Sequence, residues 1–250
     1  VWEIVEKWRH AGACDEEVAK LREKIRVAFF SRWGRKKLNE QEQVGLAEKA
    51  KKVYAELQPR EIVNKYEWLF REVWINDFED EPEEDETDFG VREQYLKNLR
   101  VSALTDIVQE RGIPGVLELS KKGKAQRLIG MYLASDVLTS ERIEDLIFQC
   151  LHSSEGHSGQ DELIIGTLGA LGKDKRKTIY ESLLSKATEE EALRILILSP
   201  YRASTWELVD QLSAMAQNRY WMEIVPQYIC ESPEENNESI RRLLEVGRPR

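Results

Sequence analysis

Cys150, His152 and His157, in the run CLHSSEGH, place one thiol and two imidazoles close together in the chain. Side chains of these types bind zinc, which takes four protein ligands in structural sites or three plus a water in catalytic ones. Cys150 also falls on one helical stripe with Ile143, Leu146 and Ile147. A packed thiol followed by a connecting loop, SSEGHSG, is therefore the favoured reading. His10 and Cys14 stand four residues apart, and nothing near them in sequence completes a ligand set. No metal ligand and no cofactor is assigned.

The run GTLGALGK at 166–173 has the look of a phosphate loop and departs from it twice. The motif requires Gly where Thr167 stands, and Ser or Thr where Asp174 follows Lys173. Gly166, Gly169 and Gly172 are expected instead to let two helices approach closely, with Gly172 as a C-cap. The three histidines and three cysteines include no Ser or Cys triad arrangement. Glu189, Glu190 and Glu191, like Glu234 and Glu235, fall in first helical turns, where carboxylates complement the macrodipole. No acid–base pair stands out, so no catalytic residue is assigned and the chain is not read as an enzyme.

Binding chemistry is the alternative. Arg32, Arg35, Lys36 and Lys37 surround Trp33, and guanidinium beside an aromatic ring suits phosphate contact and base stacking. These five residues are the candidates for nucleic-acid contact. Lys121, Lys122 and Lys124 form a second basic group, and Lys173, Lys175, Arg176 and Lys177 a third. Charged loops between helices are the ordinary explanation, and a net charge of −9 opposes a general nucleic-acid binder. Among the seven tryptophans, Trp206 and Trp221, with Arg219, are the candidate anchors for a protein partner. Core packing is the favoured reading for the tryptophans.

Short amphipathic helices must carry all these residues. From Ser140 onward apolar stripes recur at helical spacing, with helix starts expected near 140, 160, 174, 188, 204, 219 and 233. Thr188 with Glu191, Ser204 with Glu207, and Ser232 with Pro233 and Glu235 each pair an N-cap side chain with a Glu three residues on. Ahead of them, Tyr95, Leu96, Leu99, Ala103 and Ile107 make a stripe broken by Gly112, Pro114 and Gly115. Nearer the N-terminus Val18–Phe29, Leu46–Leu57 and Ile62–Trp74 give three more, the second opened by Asn39 and Glu42.

Nine acidic residues and no basic one lie between Asp77 and Asp88, and the rest of the chain is charge-balanced. Such a run with Pro82 inside it reads as a linker, and an acidic lure or a cation site is the functional alternative. The expected organisation is all-α: an N-terminal helical bundle at 1–76, an acidic linker at 77–90, and stacked helices at 91–250. Apolar faces at both ends suggest a piece of a larger polypeptide that continues beyond them. Three widely spaced cysteines, no signal-peptide pattern and no membrane-length apolar run suit a soluble, cytoplasmic chain.

The helix–loop–helix ELIIGTLGALGKDKRKTIYESLL at 162–184, with pair spacings near 28–34 residues, resembles HEAT-like helical repeats over about 90–246. That resemblance implies an irregular α-solenoid serving as a scaffold or recognition surface, and it transfers no residue-level site. The expected partner is a protein or other domains of the same polypeptide. Three rivals remain: a sensor or regulatory region attached to a bacterial NTPase or effector protein, a nucleic-acid-binding solenoid, and an enzyme with an unrecognised site.

Overall fold

The computed structural model describes residues 12, 14–31, 34, 36–37, 44–75, 89–153, 158–226 and 232–248. Every regular element among them is helical, so the fold is all-α. The chain divides into two compact units, Val1–Ala125 and Gln126–Arg250.

In the first unit, helix α1 (Asp15–Ile25) runs into a π-turn, Arg26–Phe30. Its stripe packs on helix α2 (Val44–Glu56), and Ile25, Phe30, Ala50, Val53, Tyr54 and Leu57 form the shared core. Phe30 meets Tyr54 edge-on, with ring centroids 5.0 Å apart. Asp15 has a second role beyond the first turn of its own helix. Its carboxylate accepts the backbone N–H groups of Arg60 at 2.7 Å and Glu61 at 3.1 Å, and Asn64 Nδ2 at 2.9 Å. It thereby satisfies donors at the start of helix α3 (Ile62–Tyr66), which would otherwise have no intrahelical partner.

The third stripe suggests one helix to Trp74, but the structure is shorter. After α3 comes a 3-10 turn, Glu67–Phe70, and Trp74 is exposed. Arg100 supplies the physical reason. This buried arginine donates to the carbonyls of Leu69, Glu72 and Val73 at 2.9–3.2 Å, tying down the chain where the stripe would have continued as helix. Arg100 belongs to helix α4 (Phe89–Lys122), which is interrupted at Gly112 (φ 63°, ψ −156°), just before Pro114. That conformation is one only glycine adopts readily, and it falls where the sequence marks a break. Tyr66 donates to Asp106 at 2.5 Å and Arg111 to Glu61 at 2.8 Å, further joining α4 to α3. The helix after the acidic run thus belongs to the first unit, and the boundary between units lies at Ala125–Gln126. The run at 77–88 lies outside the described residues, as do Asn39 and Glu42.

The second unit contains α5 (Gln126–Tyr132) with a π-turn at Leu133–Val137, α6 (Ser140–Leu151), α7 (Ser158–Gly169) and α8 (Lys173–Lys186). It continues with α9 (Glu189–Ile197), α10 (Ala203–Val209), α11 (Ala214–Glu223) and α12 (Pro233–Glu245). Helices α5 and α7 cross backbone to backbone. A Cβ on Gly130 would stand 2.2 Å from the Leu163 carbonyl oxygen, and one on Gly166 would stand 1.9 Å from that of Arg127. Gly166 therefore does what the sequence suggests. Gly169 faces open space, and Gly172, at φ −61°, is the N-cap of α8 rather than a C-cap.

Thr188 and Glu191 form the expected capping box, and Ser232 caps α12 ahead of Pro233. Two expected starts move. Helix α10 begins at Ala203, whose N–H goes to the Glu235 carboxylate at 3.1 Å, so Ser204 lies inside the helix instead of capping it. Helix α11 begins well before 219, because the Ser213 hydroxyl accepts the Ala216 N–H. Ion pairs then join four of these helices to the next but one. Glu144 of α6 meets Lys186 of α8 at 2.6 Å, and Asp161 of α7 meets Arg194 of α9 at 2.7 Å. Glu190 of α9 grips Arg219 of α11 bidentately, at 2.6 and 3.0 Å. Asp210, at the end of α10, holds Arg242 of α12 in the same way, at 2.5 and 2.9 Å.

Candidate functional site

Among the described residues, those with metal-ligand chemistry do not converge. Cys150 is buried on the inner stripe of α6, and burial, with the nearby negative charge of Asp161, pushes its thiol up to about 12. His152 points outward, its Nε2 2.5 Å from Glu191 Oε1. His157 and His10 lie outside the described residues, and Cys14 is the exposed N-cap of α1. Among the described residues no three His, Cys, Asp or Glu side chains gather as a metal set.

The segment resembling a phosphate loop is the last turn of α7, from Gly166 to Gly169, followed by the connection into α8. The Thr167 hydroxyl is buried and donates back to the Leu163 carbonyl at 2.8 Å, an intrahelical bond. The glutamates opening α9 are each engaged. Glu189 accepts the Ser213 N–H at 3.0 Å, and Glu190 takes Arg219. Glu191 accepts the backbone N–H of Thr188 at 2.7 Å and pairs with His152. The Thr188 bond first, and His152 next, hold the Glu191 carboxyl down to about 2. One helical turn therefore bonds to α6 on one side and α11 on the other, chemistry that is structural in character.

Of the candidate partner anchors, the two tryptophans are corrected by their burial. Trp206 is 2% exposed and Trp221 4%, their ring centroids 5.6 Å apart in a cluster with Tyr201 and Tyr220. A ring enclosed in this way has no surface to offer a partner, so both are core residues of the second unit. Arg219 is partly exposed and is committed to Glu190 and Glu223. Of the nucleic-acid candidates, Lys36 and Lys37 are exposed, while Arg32, Trp33 and Arg35 lie outside the described residues.

Open apolar surface lies elsewhere in the second unit. Met215 and Met222, one heptad apart and so on one face of α11, are 71% and 51% exposed. Ile240 and Leu244, four apart on α12, are also exposed. A groove of about 450 Å³ lies among α5, α7, the α9–α10 connection and the end of α11. Met131, Ile165, Ile197, Pro200, Ile224 and Val225 give it apolar walls, and Arg127 stands among the residues lining it. Sequence reasoning missed this groove because its walls come from four separated segments. The exposed methionines were missed because the helix was expected to start near 219, which left Met215 outside it, whereas it starts at Ala214.

Compared with protein-family models, curated proteins and solved structures, the chain finds no match. No described helix is long and apolar enough to cross a membrane. What the fold itself defines is an all-α protein.

Proposed function

We propose that the chain is a recognition scaffold: an irregular α-solenoid whose second unit offers apolar helical faces to a protein partner, in a cytoplasmic setting. The observation that carries this reading is the exposed pairing of Met215 with Met222. Large apolar side chains repeated on one solvent-facing helical face are typical of interaction surfaces, and methionine suits them because its thioether stem adapts to varied shapes. The bonds that α6, α7, α9 and the end of α10 make to their next-but-one neighbours support the stacked arrangement, since that is the contact pattern a pile of helix pairs makes.

The test is capture by the immobilised chain, comparing wild type with Met215→Glu combined with Met222→Glu. Both side chains are outside the core, so the melting temperature should stay unchanged. A protein retained by wild type and lost from the double variant is the expected result. Retention of nucleic acid alone, or equal retention of the same proteins by both forms, would overturn it.

A further inference from the structure

We infer that the groove among α5, α7 and the end of α11 seats an apolar segment of a protein partner that carries a carboxylate for Arg127; this rests on the recognition reading above. Its volume, about 450 Å³, is in the range of built binding clefts, and its walls are mainly aliphatic and methionine side chains. Val225, on the lip, is 75% exposed, so apolar surface spreads from the groove to its rim.

The charged residues of the lining, Arg127, Arg202 and Glu223, decide the chemistry of the occupant, and they leave the lining one positive charge in excess. Glu223 already accepts Arg219 at 3.4 Å. Arg127 has its nearest described carboxylate, Glu162, at 3.9 Å, beyond hydrogen-bond reach. A guanidinium offers a planar fork of donors that a carboxylate fills bidentately, and the gain grows as apolar neighbours exclude water. A segment with bulky aliphatic side chains and an Asp or Glu complements both features. A basic segment would place like charge against Arg127.

Gly169 provides the means of blocking the groove. It lines the cavity, and a Cβ built there meets no described atom within 4 Å, so a side chain at this position enters the groove and leaves the helix crossing intact. The experiment selects random displayed peptides on the full chain and measures the selected sequences against variants. The expected outcome is a consensus of large apolar residues with an Asp or Glu. It is retained on Gly169→Ala, lost on Gly169→Trp at unchanged melting temperature, and weakened roughly tenfold by Arg127→Glu. If Gly169→Trp melts early, Val225→Glu at the lip takes its place. Peptides that still bind the blocked variant would leave recognition standing on another face and overturn the groove. A basic consensus would overturn the carboxylate, and self-association lost on Gly169→Trp would put a second copy in the groove in place of the peptide. Enrichment of nothing on wild type would sink this inference, while the recognition reading stands or falls separately on the Met215→Glu, Met222→Glu capture test.

Discussion

Trp206 and Arg219 show how neighbouring candidates part company once packing is known. Both were candidate anchors, yet the indole is enclosed by Tyr201 and Trp221 while the guanidinium lies across Glu190 at the surface. Trp206→Ala should therefore cost roughly 3–5 kcal/mol of folding stability in urea titration, as a large cavity does. Arg219→Ala should leave the unfolding midpoint close to wild type, because exposed ion pairs contribute little. A midpoint unmoved by Trp206→Ala would return the ring to the surface. Glu191 carries a pH dependence whose sign follows from its partners. Its carboxyl sits at about 2 against an ordinary value of 4.5. The bonds from Thr188 and His152 thus stabilise the fold fully above that ordinary value, and this contribution is lost as pH falls toward 2. Across that window Glu191→Gln should lose less melting temperature than wild type; parallel acid profiles would show that the carboxylate bonds do not matter.

Among the helices, the caps were legible and the crossings were not. Thr188, Glu191 and Ser232 act within a few residues of themselves, so their pattern in the chain is already their geometry. Gly130 and Gly166 matter because two helices distant in sequence touch at those points, and only one of the two drew notice beforehand. Gly166→Ala would drive a methyl into the Arg127 carbonyl and should destabilise by about 2 kcal/mol or more. Gly169→Ala, three residues on, should be neutral or mildly stabilising, since it removes backbone freedom and meets nothing among the described residues. Chemical denaturation of the pair checks this, and equal costs would mean that α5 and α7 do not cross so closely. The shortened third stripe has the same origin. Its end is set by Arg100, which arrives from a helix beyond the acidic run.

For the chain as a whole, the acidic run and the boundary between units are different places. Protease should still cut first between about Asp77 and Gly90, because a sequence of uncompensated acids with Pro82 has few apolar side chains with which to build a core. The cut ends should nonetheless stay together without denaturant, since α4 is bonded to α3 through Arg100, Tyr66–Asp106 and Glu61–Arg111. Size-exclusion chromatography of the nicked protein reads this directly, and immediate separation of the fragments would contradict the packing of α4. Arg100→Leu should promote that separation by leaving three carbonyls without their donor. The sequence by itself determined that this protein is helical, where its stripes lie, and several of their caps. It also marked the break at Gly112, because periodicity, capping and backbone freedom are properties of adjacent residues. Only the tertiary structure decided that α4 joins the first unit, that Trp206 and Trp221 are core, and that an apolar groove opens beside Arg127. Each of these depends on which distant helices touch, and the free energy of burying one face against another is a property of the pair, written in neither partner alone.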